Sequence, residues 1–288
     1  MNLTTQAVIS GLMTGSVYML LGLGLVLVYS TSRVLNLAHG ETFASAGVAT
    51  GLLASLGASL PVAILAGLAV GVSLSSSLHW FILRTRAHWP PSTLILVTLA
   101  AAFLMRGVMI LLVGTGPISF PRLIAGPPIR ILGGALPLQG LLLIVVSLTV
   151  CLVVALVLTK SRLGKNLMAT AENPEAAELV GINVQIARLV AYALAGCLGA
   201  VSAVLLTPLI SVDFQSGLAM TLRGFIAAAI AGMSPLGTIL SGLLLGLFEQ
   251  MVAAYLGALF QDPVIFAVLI GVALWRSRLI RFGGSRRA

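Results

Sequence analysis

Residues 138–158 read LQGLLLIVVSLTVCLVVALVL, and residues 160–188 read KSRLGKNLMATAENPEAAELVGINVQIAR. The first stretch is an apolar run long enough to cross a lipid bilayer as a helix, and the second is a hydrophilic island. Over all 288 residues the composition is 59% hydrophobic and 8% charged. No soluble domain could cover that much apolar surface, and helices satisfy their own backbone hydrogen bonds in lipid. The sequence therefore predicts an all-α polytopic membrane protein.

Apolar runs of spanning length recur along the whole chain. They lie at about residues 8–28, 43–60, 62–83, 94–113, 138–158, 189–210, 239–259 and 264–275, with a shorter glycine-rich piece at 225–233. We therefore expect about eight transmembrane helices, with possible broken or re-entrant segments. The runs predict a single transmembrane domain over residues 1–288, with a cytoplasmic loop at 160–188.

Basic residues lie at the ends of these runs. They are Arg84, Arg86, Lys160, Arg162, Lys165, Arg276, Arg278, Arg281, Arg286 and Arg287. Because basic loop residues stay in the cytoplasm, we expect the turn at 84–91, the loop at 160–188 and the C-terminus on that side, and residues 114–137 outside. The net charge of +9 does not indicate nucleic-acid binding, since there is no basic aromatic surface. The run at 8–28 lacks a basic segment before it and a cleavage site after it, which predicts a retained first span.

The hydrophilic loop carries its own helix start and stop signals. Asn173 can cap a helix, Pro174 fits the first helical position, Glu175 suits the positive helix end, and Gly181 can adopt the left-handed stop. These signals predict one short helix over residues 174–180. Its i, i+3, i+4 spacing places three apolar side chains on one face: Ala176, Leu179 and Val180. A helix this short is not stable alone, so it requires a surface to dock against.

Two polar or glycine-rich segments interrupt the apolar pattern, NLAHGE at 36–41 and GMSPLG at 232–237. The first could be a plain cytoplasmic turn, or a broken helix of the kind tolerated at membrane depth where it lines a cavity. Because paired breaks in two halves of a chain are typical of transporters, we favour a translocation path. The candidate residues are Asn36, His39, Gly40, Glu41, Gly232, Ser234 and Gly237. For His39 alone, a structural role is as good an interpretation as a functional one.

Two charged side chains fall inside apolar runs. Arg106 in lipid would cost about 2.5 to 3.5 kcal/mol, so it must face protein, water or the outer interface. Snorkelling of its guanidinium to the interface is the simplest interpretation. The negative charge of Glu249 would likewise be unfavourable in lipid, and an ion pair between Arg106 and Glu249 is a second possibility.

The sequence lacks the patterns of an enzyme or an ATPase. It has no phosphate-binding loop, nucleophile elbow, zinc helix or pair of carboxylates within a span, so we expect no enzymatic activity, no cofactor and no metal site. Two competing classes remain. A transporter driven by an ion gradient would require acids at membrane depth, where Glu249 is the one candidate, and a membrane enzyme would require a polar catalytic cluster.

The loop resembles the EAA loop of ABC importer permeases at Glu175, Ala176, Ala177 and Gly181. With SRLGK before it, INV after it, NLAHGE at 36–41, GMSPLG at 232–237 and GLLLGLFE at 242–249, nearly the whole chain is similar to the branched-chain amino-acid permease family, of the LivH-like kind. The sequence departs from the family pattern at Ala231, Thr42, Phe43 and Ala44, which bears on the substrate.

The resemblance implies a role for the chain and a set of partners. It implies half of the translocation path of an ATP-driven importer in a bacterial or archaeal cytoplasmic (inner) membrane. The implied substrates are branched-chain or other hydrophobic amino acids, or amides and urea. The implied partners are a homologous second permease, two ATP-binding cassette subunits, an extracytoplasmic substrate-binding protein and membrane lipid. The implied ATPase-coupling residues are Glu175, Ala176, Ala177, Leu179 and Gly181.

Overall fold

The computed structural model describes residues 2–83 and 89–284. Within them lie eleven α-helices, a π-helix, a 3₁₀ turn and one small hairpin, so the predicted all-α class is confirmed. The predicted cytoplasmic turn with Arg84 and Arg86, and the terminal Arg286 and Arg287, lie outside the described residues. The α-helices are α1 (Leu3–Ser32), α2 (His39–Ser55), α3 (Leu60–Ser77), α4 (Pro91–Val113), α5 (Leu138–Lys160), α6 (Arg162–Glu172), α7 (Pro174–Leu179), α8 (Val184–Leu206), α9 (Ser216–Ile230), α10 (Pro235–Tyr255) and α11 (Gln261–Gly284). The π-helix is Leu78–Leu83 and the 3₁₀ turn is Ala258–Phe260.

In the described ranges, six helices are long and apolar enough to cross a membrane: α1, α3, α4, α5, α8 and α10. The helices α2 and α9 are shorter, with 17 and 15 residues. A bilayer core about 30 Å thick needs about 20 helical residues, so these two cross only part of it alone. The eight expected spans therefore resolve into six full-length helices and several shorter ones, among which α2 and α9 are half-helices.

Helix α1 is the centre of the bundle. It has 30 residues, about 45 Å of helix, and all residues from Gly15 to Val28 are buried. It runs antiparallel to α10 at a close crossing, where a methyl group on Gly246 would overlap the backbone nitrogen of Gly15. Glycine at such positions lets two membrane helices approach until their backbones touch. The glycines of α1 and α10 therefore place the longest helix inside protein rather than lipid.

The same arrangement recurs around α8. Helix α3 crosses α8 where a methyl on Gly196 would overlap the carbonyl oxygen of Gly71. The half-helix α2 follows α1 in the chain but packs on α8, and the half-helix α9 follows α8 but packs on α1. Two long helices thus each carry the half-helix of the other, which brings both chain breaks toward the middle of the bundle.

The N-terminal end of α1 carries a hairpin that the sequence analysis missed. Strands β1 (Ile129–Ile131) and β2 (Gly134–Leu136) pair antiparallel around a turn in which Leu132 and Gly133 have φ of 48° and 83°. Two positive φ values are typical of the two-residue turn that suits a twisted hairpin. The Gln6 side chain accepts a hydrogen bond from the Ala135 backbone N–H at 3.0 Å, which fixes the hairpin to α1.

The hairpin and the hydrophilic loop lie at opposite ends of α1, so we expect them on opposite sides of the membrane. In a protein whose Cys151 and Cys197 have been replaced, Ser119→Cys should react with an impermeant maleimide in intact cells. Glu178→Cys is the matched probe in the loop and should react only after the membrane is opened. Labelling in the reverse order would contradict the expected orientation.

Candidate functional site

The hydrophilic loop begins with a sharp elbow between α5 and α6. The Ser161 hydroxyl accepts a hydrogen bond from the Gly164 backbone N–H at 3.0 Å and so caps α6. Gly164 lies directly on the last turn of α5, where a methyl group would overlap the Val157 carbonyl oxygen. The elbow therefore depends on a capping hydroxyl and on a residue without a side chain, three positions apart.

The short helix predicted in this loop is present as α7, Pro174–Leu179, one residue shorter than expected. The Asn173 side chain accepts a hydrogen bond from the Ala176 N–H at 3.0 Å, as the capping signal predicts. Gly181 has a φ of 84°, and its N–H donates to the Glu178 carbonyl at 3.0 Å. Both ends of the helix are thus fixed by residues within four positions of it.

Most side chains of α7 face away from the rest of the chain. Leu179 is 89% exposed and Val180 75% exposed, and Glu175, Ala176 and Glu178 are exposed as well. Two large apolar side chains held in solvent at the tip of a capped turn form a surface that we call the α7 knob. It comprises Glu175, Ala176, Glu178, Leu179 and Val180.

Ala177 and Gly181 have different roles from the exposed members of the coupling set. Ala177 is 3% exposed and packs inward, so it supports α7 rather than presenting a contact. Its carbonyl oxygen accepts a hydrogen bond from the Ile182 N–H at 3.0 Å. Gly181 ends the helix by its backbone conformation. Neither residue is suited to contact a partner through a side chain.

Two arginines tie the loop to the end of α1, and sequence reasoning missed both. The Arg33 guanidinium donates to the Ala171 carbonyl oxygen near the end of α6 at 2.6 Å. The Arg188 Nε donates to the Thr31 carbonyl oxygen at 3.1 Å. Helix C-termini leave such carbonyls unpaired, and arginine is well suited to fill them. The arginines therefore join α6, α8 and the central helix α1 at one point.

The first interruption is buried and is not an exposed turn. Asn36 is 1% exposed, and His39 and Glu41 are fully buried. A residue missed by the sequence analysis, Thr98 of α4, accepts a hydrogen bond from the Leu37 N–H through its hydroxyl, at 3.2 Å. Another, Thr221 of α9, accepts one from the Gly40 N–H at 2.8 Å. These hydroxyls satisfy backbone groups that unwinding leaves free at membrane depth.

His39 lies against the middle of α1. A Cβ atom on Gly24 would meet the His39 imidazole at 2.8 Å, and the ring faces the backbone of Leu21. Neither ring nitrogen has a well-formed hydrogen bond to a described residue. Gly24 is eight residues before the end of α1 at Ser32, so α2 begins about 12 Å inside the bundle from that end. The segment after α1 therefore re-enters the protein before α2 starts.

The second interruption is a tight turn between α9 and α10. Gly232 and Met233 have φ of 71° and 58°, and Pro235 begins α10. Ser234 is exposed, and its hydroxyl donates to the Ala231 carbonyl at 3.0 Å. A methyl on Gly237 would overlap the Ser234 hydroxyl. Glycine at 232 therefore suits the left-handed backbone of the turn, and glycine at 237 leaves room for the Ser234 hydroxyl.

The turn borders a cavity of about 420 Å³ on the side of the hydrophilic loop. Helices α1, α5, α6 and α10 enclose this cavity, which is mainly apolar. Its lining includes Leu27, Arg33, Leu158, Met168, Pro235 and Leu236. The second interruption therefore lines the same cavity as α6, the helix that precedes the α7 knob.

The two interruptions reach the same depth of α1 but on opposite sides of it. Gly22 contacts the Thr238 side chain of α10 and the backbone of α9, whereas Gly24 contacts His39. Residues two apart on a helix point about 200° apart. The structure therefore brings the two sets of path candidates to one level of α1, on opposite sides of it.

The charged residues inside the helices form ion pairs that the sequence analysis did not predict. Arg106 does not snorkel and does not pair with Glu249, because its Nη2 donates to the Glu41 carboxylate at 2.5 Å. Glu249 instead accepts from Arg223 Nε at 3.1 Å, and Arg223 Nη2 donates to Asp262 at 2.8 Å. Burial of Glu41 and Glu249 without these cations would leave unpaired charges. No group of three or more metal-ligating side chains occurs in the part of the chain that the structure describes.

Comparison with known proteins identifies the family. Residues 7–273 match the family model described as the branched-chain amino acid transport system permease component. The chain belongs to this family. The match runs from the first turns of α1 into α11, so it covers the half-helices, the α7 knob and the ion pairs together. The chain is thus a multi-pass membrane permease component of a transport system, as its resemblance to the family implied.

Three relatives illustrate the range of the similarity. The high-affinity branched-chain amino acid permease protein BraD of Pseudomonas aeruginosa is 31% identical, with 94% of this chain and 93% of BraD covered. The autoinducer 2 import system permease protein LsrC of Salmonella choleraesuis is 27% identical, with 96% and 80% covered. The solved structure of PsaBC from Streptococcus pneumoniae in complex with Fab has a TM-score of 0.52 at 16% identity, with 94% of this chain and 91% of that chain covered. The last comparison shows a shared fold alone.

Proposed function

We propose that this chain is the membrane-spanning subunit of an ATP-driven ABC importer and that the α7 knob is its contact with a separate ATPase. The observation that carries the proposal is the exposure of Leu179 and Val180 at the tip of a helix capped at both ends. Apolar side chains held rigidly in solvent are typical of a surface that another protein covers. The chain has no phosphate-binding loop of its own, so the energy must come from that partner.

The connection from α7 to α1 gives the knob a mechanical role. Movement of α7 acts on α6, which packs on α1 and is bonded to it through Arg33. Helix α1 in turn contacts both half-helices and α10. Rigid elements that slide or rotate together are the usual means by which a nucleotide-driven closure reaches a distant path. His39 of the first interruption and Thr238, which follows the second, both contact the turn of α1 at Gly22 and Gly24.

Because this chain provides only half of the proposed path and one ATPase contact, the complete transporter requires further subunits. Residues 1–288 form a single permease domain in the bacterial or archaeal cytoplasmic (inner) membrane. A homologous second permease completes the path, two ATP-binding cassette subunits drive it, and an extracytoplasmic binding protein delivers the solute to the side of the hairpin. Membrane lipid covers the outward faces of the bundle.

The proposed substrate is a branched-chain or other hydrophobic amino acid. Similarity to BraD supports this substrate, and similarity to the autoinducer 2 permease LsrC keeps other small solutes within reach of the same framework. An importer driven by an ion gradient is less well supported. The buried acids Glu41 and Glu249 are each neutralised by an arginine, so neither is a free proton or cation carrier.

Copurification and uptake test the proposal together. The tagged chain expressed with the other components of its transporter should retain an ATPase subunit through purification. Reconstituted in vesicles with the binding protein, the complex should accumulate radiolabelled leucine only when ATP is supplied, and the isolated chain should not bind ATP. Leucine uptake driven by a proton or sodium gradient without ATP would contradict the proposal.

A further inference from the structure

A cavity of about 380 Å³ lies between α4, α9 and α11, next to the end of the first interruption, where Glu41 pairs with Arg106. Two arginines from different helices line it, Arg106 of α4 and Arg223 of α9, each with 18% of its side chain exposed. The rest of the wall is mostly apolar and comprises Phe214, Leu218, Ala219, Leu222, Ile226, Ile265 and Phe266. Gln215 and Asp262 complete the lining. The cavity therefore joins two guanidinium groups to an apolar chamber.

The buried acids behind the arginines leave part of each guanidinium unoccupied. Glu41 is fully buried and takes one donor of Arg106, whose side chain is 18% exposed. Arg223 uses Nε and Nη2 for Glu249 and Asp262. A guanidinium has five N–H donors, so both arginines keep donors for a further acceptor. Planar pairing with a carboxylate is the contact that arginine forms best.

The cavity lies toward the side of the hairpin. Asp262 lies in the first turn of α11 with 67% of its side chain exposed, and the exposed Gln215 immediately precedes α9. Two residues before Phe214, Val212 pairs its backbone with Ile118 of the 114–137 connection. The polar and charged groups of the wall thus stand between an outward mouth and the interior, where water must hydrate them in place of lipid.

We infer that this cavity is a carboxylate-binding site for the transported solute, with Arg106 and Arg223 as its anchors. The inference rests on the proposed function and names the residues that bind its substrate, a small carboxylate-bearing solute with an apolar body. The carboxylate contacts Arg106, an ammonium group at the same end contacts Asp262, and the apolar body lies against Leu222 and Phe266. Neutral solutes such as polyols and urea lack the group that the two arginines bind.

Removing both charges of the Arg106–Glu41 ion pair separates the role of Arg106 in solute binding from its role in stabilising the buried carboxylate. Arg106→Gln alone leaves Glu41 buried without a partner, so its effect mixes the two roles. The double variant Glu41→Gln/Arg106→Gln removes both charges and restores a neutral, hydrogen-bonding pair. Arg122→Gln, an exposed arginine of the outer connection, is the matched control.

In the reconstituted transporter, the double variant should assemble with its ATPase but show a KM for leucine raised by about tenfold, because one charge-assisted contact is lost. The control should keep the wild-type KM. If Arg106 and Glu41 serve packing alone, the double variant will return to the wild-type KM, and that result would overturn the inference.

Thiol labelling of a cysteine in the cavity tests the inference directly. The variant is Gln215→Cys in a transporter whose Cys151 and Cys197 have been replaced. Arg106→Gln should lower the reaction rate of the anionic sulfonatoethyl methanethiosulfonate relative to that of its cationic trimethylammonium analogue. Leucine should protect the thiol, whereas leucinol, which lacks the carboxylate, should not. Equal protection by both, or protection by neither, would overturn the inference.

The outcomes also separate this inference from the proposed function. Normal ATP-driven leucine uptake with an unchanged KM in the double variant would contradict the proposed binding site but not the proposed importer function. If the unmodified protein neither copurifies with an ATPase nor shows ATP-driven uptake, the proposed importer function is wrong. Protection of the thiol by leucine would still support the binding site.

Discussion

Replacement of Gly40 by alanine should prevent stable folding of the bundle, the largest effect on stability that we expect. A methyl group at this position would overlap the carbonyl oxygen of Gly217 and the hydroxyl of Thr221. The first of these atoms belongs to the backbone of α9 and cannot move aside by a rotamer change. The substitution would also break the hydrogen bond from the Gly40 N–H to Thr221. Overpacking of this kind costs about 3 kcal/mol.

The measurement is the fraction of protein that remains monodisperse after detergent extraction and heating. Gly107→Ala is the matched control, because a methyl at Gly107 in α4 would meet no atom within 4 Å. Alanine is the better helix former by about 1 kcal/mol, so this control should be neutral or slightly stabilising. If Gly40→Ala is as stable as Gly107→Ala, then α2 and α9 do not cross as closely as the structure shows.

Replacement of Leu179 by arginine should abolish most ATP-driven uptake while the protein stays folded in the membrane. Leu179 is 89% exposed and contributes little to the core, so arginine costs the isolated chain almost nothing. In a docked interface the new charge would be desolvated without a partner. We expect uptake to fall by about tenfold or more, as for other buried anchors of protein interfaces.

Uptake and retention of the ATPase in pull-downs measure this effect together. Leu132→Arg is the matched control for ATPase retention, since Leu132 is 85% exposed in the hairpin turn at the other end of α1 from the α7 knob. Gly181→Ala provides a milder probe, because its methyl meets no neighbour and only the φ of 84° is penalised. Full uptake and full ATPase retention by Leu179→Arg would exclude the α7 knob as the coupling surface.

The structure also changes how the first interruption can be probed. Ala38 is fully buried, so a cysteine there should react slowly in any state that resembles this one. Ser234 is exposed and suits thiol chemistry. Sequence reasoning treated the two breaks as equivalent members of one path, because both show the same local pattern of glycine and polar residues. Only the packed structure shows that the first interruption is buried and hydrogen-bonded to Thr98 and Thr221, whereas the second borders the cavity of about 420 Å³.

The sequence by itself determined the membrane class, the approximate positions of most apolar helices, and the short helix α7 with its ends at Asn173 and Gly181. These features depend on interactions within about four residues or on the mean hydropathy of a run, and both are readable along the chain. Helix ends were less well predicted. The piece expected at 225–233 is α9, Ser216–Ile230, and its start is fixed by Asp213, whose side chain accepts hydrogen bonds from the Gln215 and Ser216 N–H groups.

Tertiary structure alone decided which charges meet and what each break faces. Arg106 and Glu41 are 65 residues apart, and Arg223 and Glu249 are 26 apart. Hydropathy marks such residues as costly in lipid but does not select their partners. The selection comes from backbone contact at Gly15, Gly196 and Gly246, which fixes how α1, α8 and their neighbours cross. Glycine spacing shows that helices can approach, whereas the pair that approaches depends on all surrounding side chains fitting at once.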